Sequence, residues 1–223
     1  MLPAHPDRSA RGLQAKVDLG QSGTLPPRPR LLLRAAGGMV PAMAGRPFVF
    51  LDRDGTLIED VNYGHRPEDY HPIAGVTAAL RRLCAAGFGL AIVTNQAGIG
   101  RGLFTRADYD SFHGRLLDDL AAAGIEIEAT YMCPHAPDEG CSCRKPAPTS
   151  LFAARDELGA DLEASWMIGD HAKDVEFGHN AGCRAILVLT GHGEEEEARL
   201  GERRPVAVVA NLPAAVALIL GDA

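Results

Sequence analysis

The chain has 223 residues, of which 46% are apolar, and it carries a net charge of −7 at pH 7. This length and apolar content are sufficient for one globular domain with an ordinary hydrophobic core. The acidic balance argues against nucleic-acid binding, because proteins that bind nucleic acid usually present a basic surface. No apolar run approaches the roughly eighteen residues that a membrane-spanning helix needs. We therefore expect neither a nucleic-acid partner nor a membrane partner.

The first 46 residues differ in composition from the rest of the chain. Residues 1–46 are rich in Pro, Arg, Gly and Ala, show no clear period and carry a net charge of +5. They offer too little apolar surface to offset the entropy of ordering, so we interpret them as a disordered tail before a domain at 47–223. A start at Met39 or Met43 and a transit peptide are alternatives. The apolar stretch in this tail is broken by Arg34, which disfavours a secretory signal and indicates a cytoplasmic protein.

Strand-like and helix-like segments alternate from residue 47 onward. In chain order we predict strands at 48–51, 88–94, 125–132, 165–169, 184–189 and 205–210, and helices at 75–87, 105–124, 147–159, 172–182 and 212–221. The strands are apolar runs without polar alternation, which is typical of a parallel sheet covered by helices on both faces. The fold class is therefore α/β, with a Rossmann-like sheet whose ligands bind at the carboxyl ends of the strands.

The first predicted strand ends in the sequence FLDRDGTL. Asp52 and Asp54 flank Arg53, and Gly55 then allows the chain to turn sharply. A carboxylate at the mouth of a parallel sheet is a candidate nucleophile or magnesium ligand. An ordinary Asp-Gly turn is the alternative, and this motif alone does not separate the two interpretations.

Three further strand ends carry polar side chains suited to a phosphate. Thr94 ends the strand in VTNQAG, Lys145 stands directly before a helix in RKP, and Asp170 ends the strand in MIGD. A hydroxyl and an ammonium can hold phosphate oxygens, and a carboxylate can hold a divalent cation. A flexible glycine loop, a solvated lysine and a helix N-cap are the respective alternatives. Because carboxyl ends of parallel strands meet at one edge, we expect these residues to lie together.

In combination, FLDRDGTL, VTNQAG, RKP and IGDHAKD resemble the four motifs of the haloacid-dehalogenase-like phosphohydrolases. The resemblance implies that Asp52 is the nucleophile and that Asp54 is the general acid and base. It implies magnesium held by Asp52, by the backbone carbonyl of Asp54 and by Asp170. It also implies that Thr94 and Lys145 stabilise the transferring phosphoryl group.

Three cysteines and a histidine lie within eleven residues, in the pattern C-x-H…C-x-C. They are Cys133, His135, Cys141 and Cys143. Three thiolates and one imidazole suit tetrahedral zinc, and a site with four protein ligands is structural. A disulfide loop or free thiols are the alternative, although the five cysteines of the chain leave one unpaired in any disulfide scheme. We predict a structural zinc site that fixes the adjacent Arg-Lys pair beside the strand ends.

The zinc loop CPHAPDEGCSCRKP resembles that of the D-glycero-D-manno-heptose 1,7-bisphosphate 7-phosphatases. This resemblance implies removal of the 7-phosphate of that sugar through an aspartyl-phosphate intermediate. It also implies substrate contacts at three places along the chain. They are Asp60, Val61, Asn62 and Tyr63 after the first motif, Asn95, Gln96 and Ala97 in the second, and Arg53, Arg144 and His171 beside motif residues. The sequence departs from that family at His171, where a lysine is frequent, and in its short zinc loop.

The spacing between the first two motifs limits what can cover the site. Between Asp54 and Thr94 there is room for one flap, one helix and one strand, so we predict no large cap domain. We expect a monomer that acts on a small sugar phosphate. A histidinol-phosphate phosphatase, whose phosphatase part has a similar zinc loop, is the nearest alternative. A non-catalytic binding module is the other, and the complete set of motif residues argues against it.

Overall fold

The structure, a computed structural model, describes residues 15–18 and 45–222. Its strands are β1 (Ala15–Asp18), β2 (Arg46–Leu51), β3 (Gly89–Asn95), β4 (Ala129–Cys133), β5 (Ala160–Gly169), β6 (Arg184–Val188) and β7 (Ala207–Val209). Its helices are α1 (Val76–Ala85), α2 (Ala97–Gly100), α3 (Arg106–Ala122), α4 (Thr149–Leu158), α5 (Ala172–Asn180), α6 (Gly193–Glu197) and α7 (Leu212–Leu220). One 3₁₀ turn spans Pro67–Asp69.

The strands form one parallel sheet in the order β1-β4-β3-β2-β5-β6-β7. The chain runs outward from β2 through β3 to β4, and then returns to the other side of β2 with β5 and β6. The strand order therefore reverses between β2 and β5, which is the position at which ligands bind in such sheets. Phe50 pairs with Ala91 on one side and with Met167 on the other, so the ends of these three central strands lie side by side.

Two hydrophobic layers cover the sheet, one on each face. Val49 and Leu51 belong to the layer formed with α1, α3 and α7, whereas Phe48 and Phe50 belong to the layer formed with α4 and α5. Successive side chains of a strand point to opposite faces, so an apolar run without polar alternation fills both layers. The predicted α/β fold with a parallel sheet covered on both faces is thus confirmed.

Four residues of the N-terminal segment form a strand that the sequence analysis did not predict. Within the predicted disordered tail, Ala15–Asp18 form β1, which pairs in parallel with β4 from Ala15–Ala129 to Asp18–Met132. The sequence did not predict this strand, because it pairs through backbone groups at the free edge of β4 and not through a side-chain pattern. The rest of 1–44 lies outside the described residues, and a domain beginning at residue 47 stays a prediction.

The other elements follow the sequence closely. Helix α3 begins after Thr105, whose hydroxyl accepts a hydrogen bond from the Asp108 backbone while the Asp108 carboxylate accepts one from the Thr105 backbone. This capping box explains why the helix starts there. Strand β5 begins earlier than predicted, and the short helices α2 and α6 were not predicted as separate elements. None of the helices in the described part of the chain is long and apolar enough to cross a membrane.

Candidate active site

A polar cleft of about 210 Å³ opens at the carboxyl ends of the central strands. Its lining includes most of the residues predicted from the sequence: Asp52, Arg53, Asp54, Asp60, Asn62, Tyr63, Thr94, Asn95, Gln96, Ala97, Arg144 and His171. Gly64 and Lys173, which were not predicted, also line it. Lys145 and Asp170 lie beneath its floor, where they are 2% and 0% exposed.

Asp52 lies at the end of β2 and is almost fully buried. Its Oδ1 accepts a hydrogen bond from the Arg53 backbone at 2.7 Å and lies 2.9 Å from Lys145 Nζ. Burial acts to raise the pKa of this carboxyl, but the ammonium groups of Lys145 and Lys173 and the hydrogen bonds from Lys145 and Arg53 together hold the pKa below its ordinary value. Asp52 is therefore ionised at neutral pH, as a nucleophile must be.

Lys145 supplies the cation beneath the cleft. Its ammonium lies 2.9 Å from Asp52, 2.7 Å from Asp174 Oδ1 and 2.9 Å from the carbonyl oxygen of Val93, so all three of its N–H groups are engaged. The side-chain amide of Asn95 holds the Lys145 backbone, accepting from its N–H at 3.1 Å and donating to its carbonyl at 3.3 Å. Although burial opposes it, the two carboxylates raise the pKa of Lys145, which stays charged.

Asp54 lies two residues beyond Asp52 in a different environment. Its carboxyl accepts from Arg53 Nε at 3.2 and 3.1 Å and from Arg53 Nη2 at 2.9 Å, and Gln96 Nε2 donates to its Oδ2 at 2.9 Å. Burial raises the pKa of Asp54, and the Arg53 guanidinium offsets only part of this effect. The two carboxyls thus have pKa values shifted in opposite directions, an arrangement that suits one for attack and the other for proton transfer.

Asp170 directly follows β5 and is fully buried. Its Oδ2 accepts a hydrogen bond from the His192 backbone at 2.9 Å, and its Oδ1 lies 2.8 Å from His171 Nδ1. A Cβ added at Gly55 would lie 2.2 Å from Asp170 Oδ2, and one added at Gly191 would lie 2.3 Å from it. Two glycines therefore leave the space in which this carboxylate sits.

The carboxylates at the strand ends fit a magnesium ion. One ligand atom from each of Asp52, Asp170, His171 and Asp174 lies within 4.8 Å of the others. Magnesium prefers oxygen ligands and only a few carboxylates, so Asp52 and Asp170 are the suitable pair, and the backbone carbonyl of Asp54 remains the third ligand predicted from the sequence. Asp174 is less suitable, because Lys145 occupies its Oδ1 and the His171 backbone donates to its Oδ2 at 3.1 Å.

The flap, which is the segment 60–70 after the first motif, lines part of the cleft. Asn62 and Tyr63 have φ angles of 56° and 62°, in the left-handed region that non-glycine residues rarely adopt. Asp60 Oδ2 lies 3.3 Å from His192 Nε2, and the Tyr63 hydroxyl contacts the Arg101 guanidinium. These contacts hold the flap against the loops that follow β6 and α2, whereas Val61 is exposed and does not line the cleft.

The predicted zinc ligands come together at the end of β4. Cys133 Sγ lies 3.6 Å from Cys141 Sγ and 3.3 Å from Cys143 Sγ, and His135 Nδ1 lies 3.3 Å from Cys143 Sγ. A disulfide needs a sulfur–sulfur distance of about 2.05 Å, so these thiols are not paired. The separations are close to those between ligands of one tetrahedral ion. The cluster can therefore hold structural zinc, as the sequence predicts.

The sequence did not predict some residues that shape the site. Asp174 is the second carboxylate on Lys145, and the spacing of four residues from Asp170 was its only signal. His192 and Arg101 hold the flap from loops that carry no motif. The Arg53 guanidinium is 1% exposed and faces Asp54, so the predicted substrate contact of this residue would have to come from its backbone.

Comparison with known proteins agrees with this geometry. Residues 142–215 match the HAD-hydrolase-like family model. The D-glycero-beta-D-manno-heptose-1,7-bisphosphate 7-phosphatase of Yersinia pestis is 38% identical over 179 residues, which are 76% of this chain and 95% of that protein. The Escherichia coli K12 protein of the same name is also 38% identical over 179 residues, covering 76% of this chain and 93% of the relative.

A solved structure that resembles this chain carries the same type of name as these relatives. The D,D-heptose 1,7-bisphosphate phosphatase from B. bronchiseptica, complexed with magnesium and phosphate, has a TM-score of 0.73 and 33% identity, and covers 79% of this chain and 99% of its own. Fold and motifs thus define a haloacid-dehalogenase-like phosphoric monoester hydrolase. At 38% identity over most of both chains, the chain belongs to the family of D-glycero-beta-D-manno-heptose-1,7-bisphosphate 7-phosphatases.

We predict that Gly55→Ala weakens the response to magnesium. Its φ of +75° and the 2.2 Å approach to Asp170 would force the carboxylate to move. We expect magnesium affinity to fall by about 10- to 100-fold, measured as phosphate release against magnesium concentration. Gly87→Ala is the matched control, because Gly87 has a φ of +87° but nothing within 4 Å of an added Cβ.

The control should lose only about 1–2 kcal/mol of stability from backbone strain. An unchanged magnesium response in Gly55→Ala, or an equal loss in Gly87→Ala, would contradict the assigned role of Gly55.

We also predict one tightly bound zinc ion per chain. Cys143→Ser should lose this zinc in elemental analysis and lower the melting temperature by roughly 2–4 °C for each kcal/mol of zinc-binding free energy that the folded chain loses. Cys84→Ser, which changes a partly buried cysteine outside the cluster, should keep the zinc. Zinc retention in Cys143→Ser would show that the cluster is not the site.

Proposed function

We propose that the protein removes the 7-phosphate of D-glycero-β-D-manno-heptose 1,7-bisphosphate in a magnesium-dependent reaction. The observation that carries the proposal is the pair formed by Asp52 and Asp54, in which neighbouring cations lower the pKa of Asp52 and burial raises the pKa of Asp54. The names of the relatives at 38% identity supply the sugar and its anomer.

The first step forms a phosphoenzyme on Asp52. Its Oδ1 is held by two donors, which leaves Oδ2 to attack phosphorus. As the bond from phosphorus to the sugar oxygen breaks, the proton on the Asp54 carboxyl passes to that oxygen. The sugar leaves as a neutral alcohol, and Asp54 becomes a carboxylate.

The second step returns both aspartates to their starting states. The Asp54 carboxylate takes a proton from a water molecule, whose oxygen attacks phosphorus while the bond to Asp52 breaks. Inorganic phosphate leaves, Asp52 is again a carboxylate, and Asp54 again carries a proton. Gln96 donates to both Asp54 Oδ2, at 2.9 Å, and Thr94 Oγ1, at 2.7 Å, so the proton donor and the phosphate-binding hydroxyl are fixed relative to each other.

Several cations can neutralise the negative charge of the phosphoryl group as it is transferred. Lys145 lies against the attacking carboxylate, so a phosphoryl group on Asp52 would remain next to the same ammonium. Lys173 lines the cleft beside it. Magnesium held by Asp52, the Asp54 carbonyl and Asp170 would reduce the repulsion between the anionic nucleophile and the anionic phosphate.

The rim of the cleft suits a substrate with a second phosphate. Arg144 lines the cleft, and its Nη1 donates to the His135 carbonyl at 3.3 Å, which links this guanidinium to the zinc loop. A planar guanidinium can form two hydrogen bonds to one phosphate. Asp60 and Asn62 line the opposite wall and can bond sugar hydroxyls. A cytoplasmic monomer remains the expectation for this enzyme.

The assay that tests the proposal is phosphate release with magnesium from four substrates. They are the two anomers of heptose 1,7-bisphosphate, histidinol phosphate and fructose 1,6-bisphosphate. We expect the β anomer to have the highest kcat/KM. Asp52→Asn, which keeps the shape but removes the nucleophile, should reduce the rate by at least roughly 10⁴-fold.

The alternatives give different results in the same assay. Preference for histidinol phosphate would assign the same chemistry to a different substrate. Failure to release phosphate from any of the four would contradict the proposal, and release that survives Asp52→Asn would contradict the role of Asp52.

A further inference from the structure

Arg53 occupies an unusual position for a charged residue of an active-site motif. It stands between Asp52 and Asp54 in the sequence, yet its side chain is 1% exposed and so is closed off from solvent. Burial of a charge is costly unless the charge is paired and hydrogen-bonded. The surroundings of the guanidinium therefore indicate what the residue does.

Asp54 is the ion-pair partner of this guanidinium. Nε donates to both carboxyl oxygens, at 3.2 and 3.1 Å, and Nη2 donates to Oδ1 at 2.9 Å. A planar guanidinium that engages both oxygens of a carboxyl fixes the plane of that carboxyl as well as its position. The Asp54 side chain remains 24% exposed, so it can still reach a substrate in the cleft.

Helix α3 holds the guanidinium in place. The Arg53 Cζ lies 5.3 Å from the ring centroid of Tyr109 and 5.1 Å from that of Phe112. These rings are three residues apart and so share one face of the helix. Both rings are buried, and cation–π contact with them helps to offset the desolvation of the charge.

We propose that Arg53 is a positioning residue, which holds the carboxyl of Asp54 at the oxygen that leaves phosphorus. The argument rests on the proposed function, because it requires Asp54 to be the proton donor. With Nε and Nη2 both bonded to Asp54 and the side chain 1% exposed, Arg53 is assigned no contact of its own with the phosphate or the sugar. Substitution of Arg53 should therefore lower kcat/KM most for substrates whose leaving oxygen depends most on protonation.

The test uses a series of aryl phosphates from p-nitrophenyl phosphate to phenyl phosphate. A p-nitrophenolate leaves readily as an anion, whereas a phenolate depends more on protonation. In Arg53→Met we expect kcat/KM to fall by less than about 3-fold for p-nitrophenyl phosphate, and by about 10²-fold for phenyl phosphate. Arg53→Lys keeps the charge but not the planar pair of donors, so it should show the same trend.

A double variant separates positioning from a general structural role. If Arg53 acts through Asp54, then Arg53→Met combined with Asp54→Asn should release phenol in a single turnover no more slowly than Asp54→Asn alone. Arg115→Met is the matched control, because Arg115 lies on α3 over the ring of Tyr70, 4.4 Å from its centroid, and outside the cleft. We expect wild-type rates across the series for this control.

Two results would overturn the proposal in distinguishable ways. An equal loss for every aryl phosphate, or additive losses in the double variant, would mean that Arg53 supports the fold or binds phosphate, and the phosphatase assignment would stand. No hydrolysis of the series by the wild-type protein, together with no phosphate release from the four substrates named above, would overturn the phosphatase assignment and the role of Arg53 together.

Discussion

The ammonium of Lys145 lies between two buried carboxylates, 2.9 Å from Asp52 and 2.7 Å from Asp174. Neither Asp52 nor Asp174 could remain charged in the interior without this cation, because burial alone favours their neutral forms. Even beside it, burial raises the pKa of Asp174 to about 6, whereas the pKa of Asp52 is held low. The charge state of Asp52, the proposed nucleophile, thus depends on where one lysine is fixed.

Several elements converge to fix that lysine. Strand β3 supplies the Val93 carbonyl and the Asn95 amide, which bond the Lys145 ammonium and backbone. The zinc loop ends at Cys143, two residues before Lys145, so a metal bound there restrains the same segment. Helix α5 presents Asp174 from its first turn. The cysteine–histidine cluster and the candidate active site are therefore physically connected, although none of the four cluster residues lines the cleft.

The sequence predicted the central sheet and the motif residues at its strand ends, because continuous apolar runs identify buried strands and each motif follows one of them. It also predicted the zinc ligands, whose chemistry is contained in their spacing. It did not predict β1, since pairing at a sheet edge depends on backbone groups rather than on side-chain pattern. Nor could it predict the inward turn of Arg53, because Tyr109 and Phe112 come from a helix much later in the chain.

Identification of the phosphorylated residue tests the central claim most directly. Asp54→Asn, mixed with magnesium and p-nitrophenyl phosphate, should release p-nitrophenol once and then stall, because the variant lacks the base that activates water. Acid quenching and borohydride reduction should convert the phosphorylated aspartate to homoserine, which mass spectrometry locates. The account predicts homoserine at position 52. Modification at another residue, or one turnover without any modified aspartate, would contradict it.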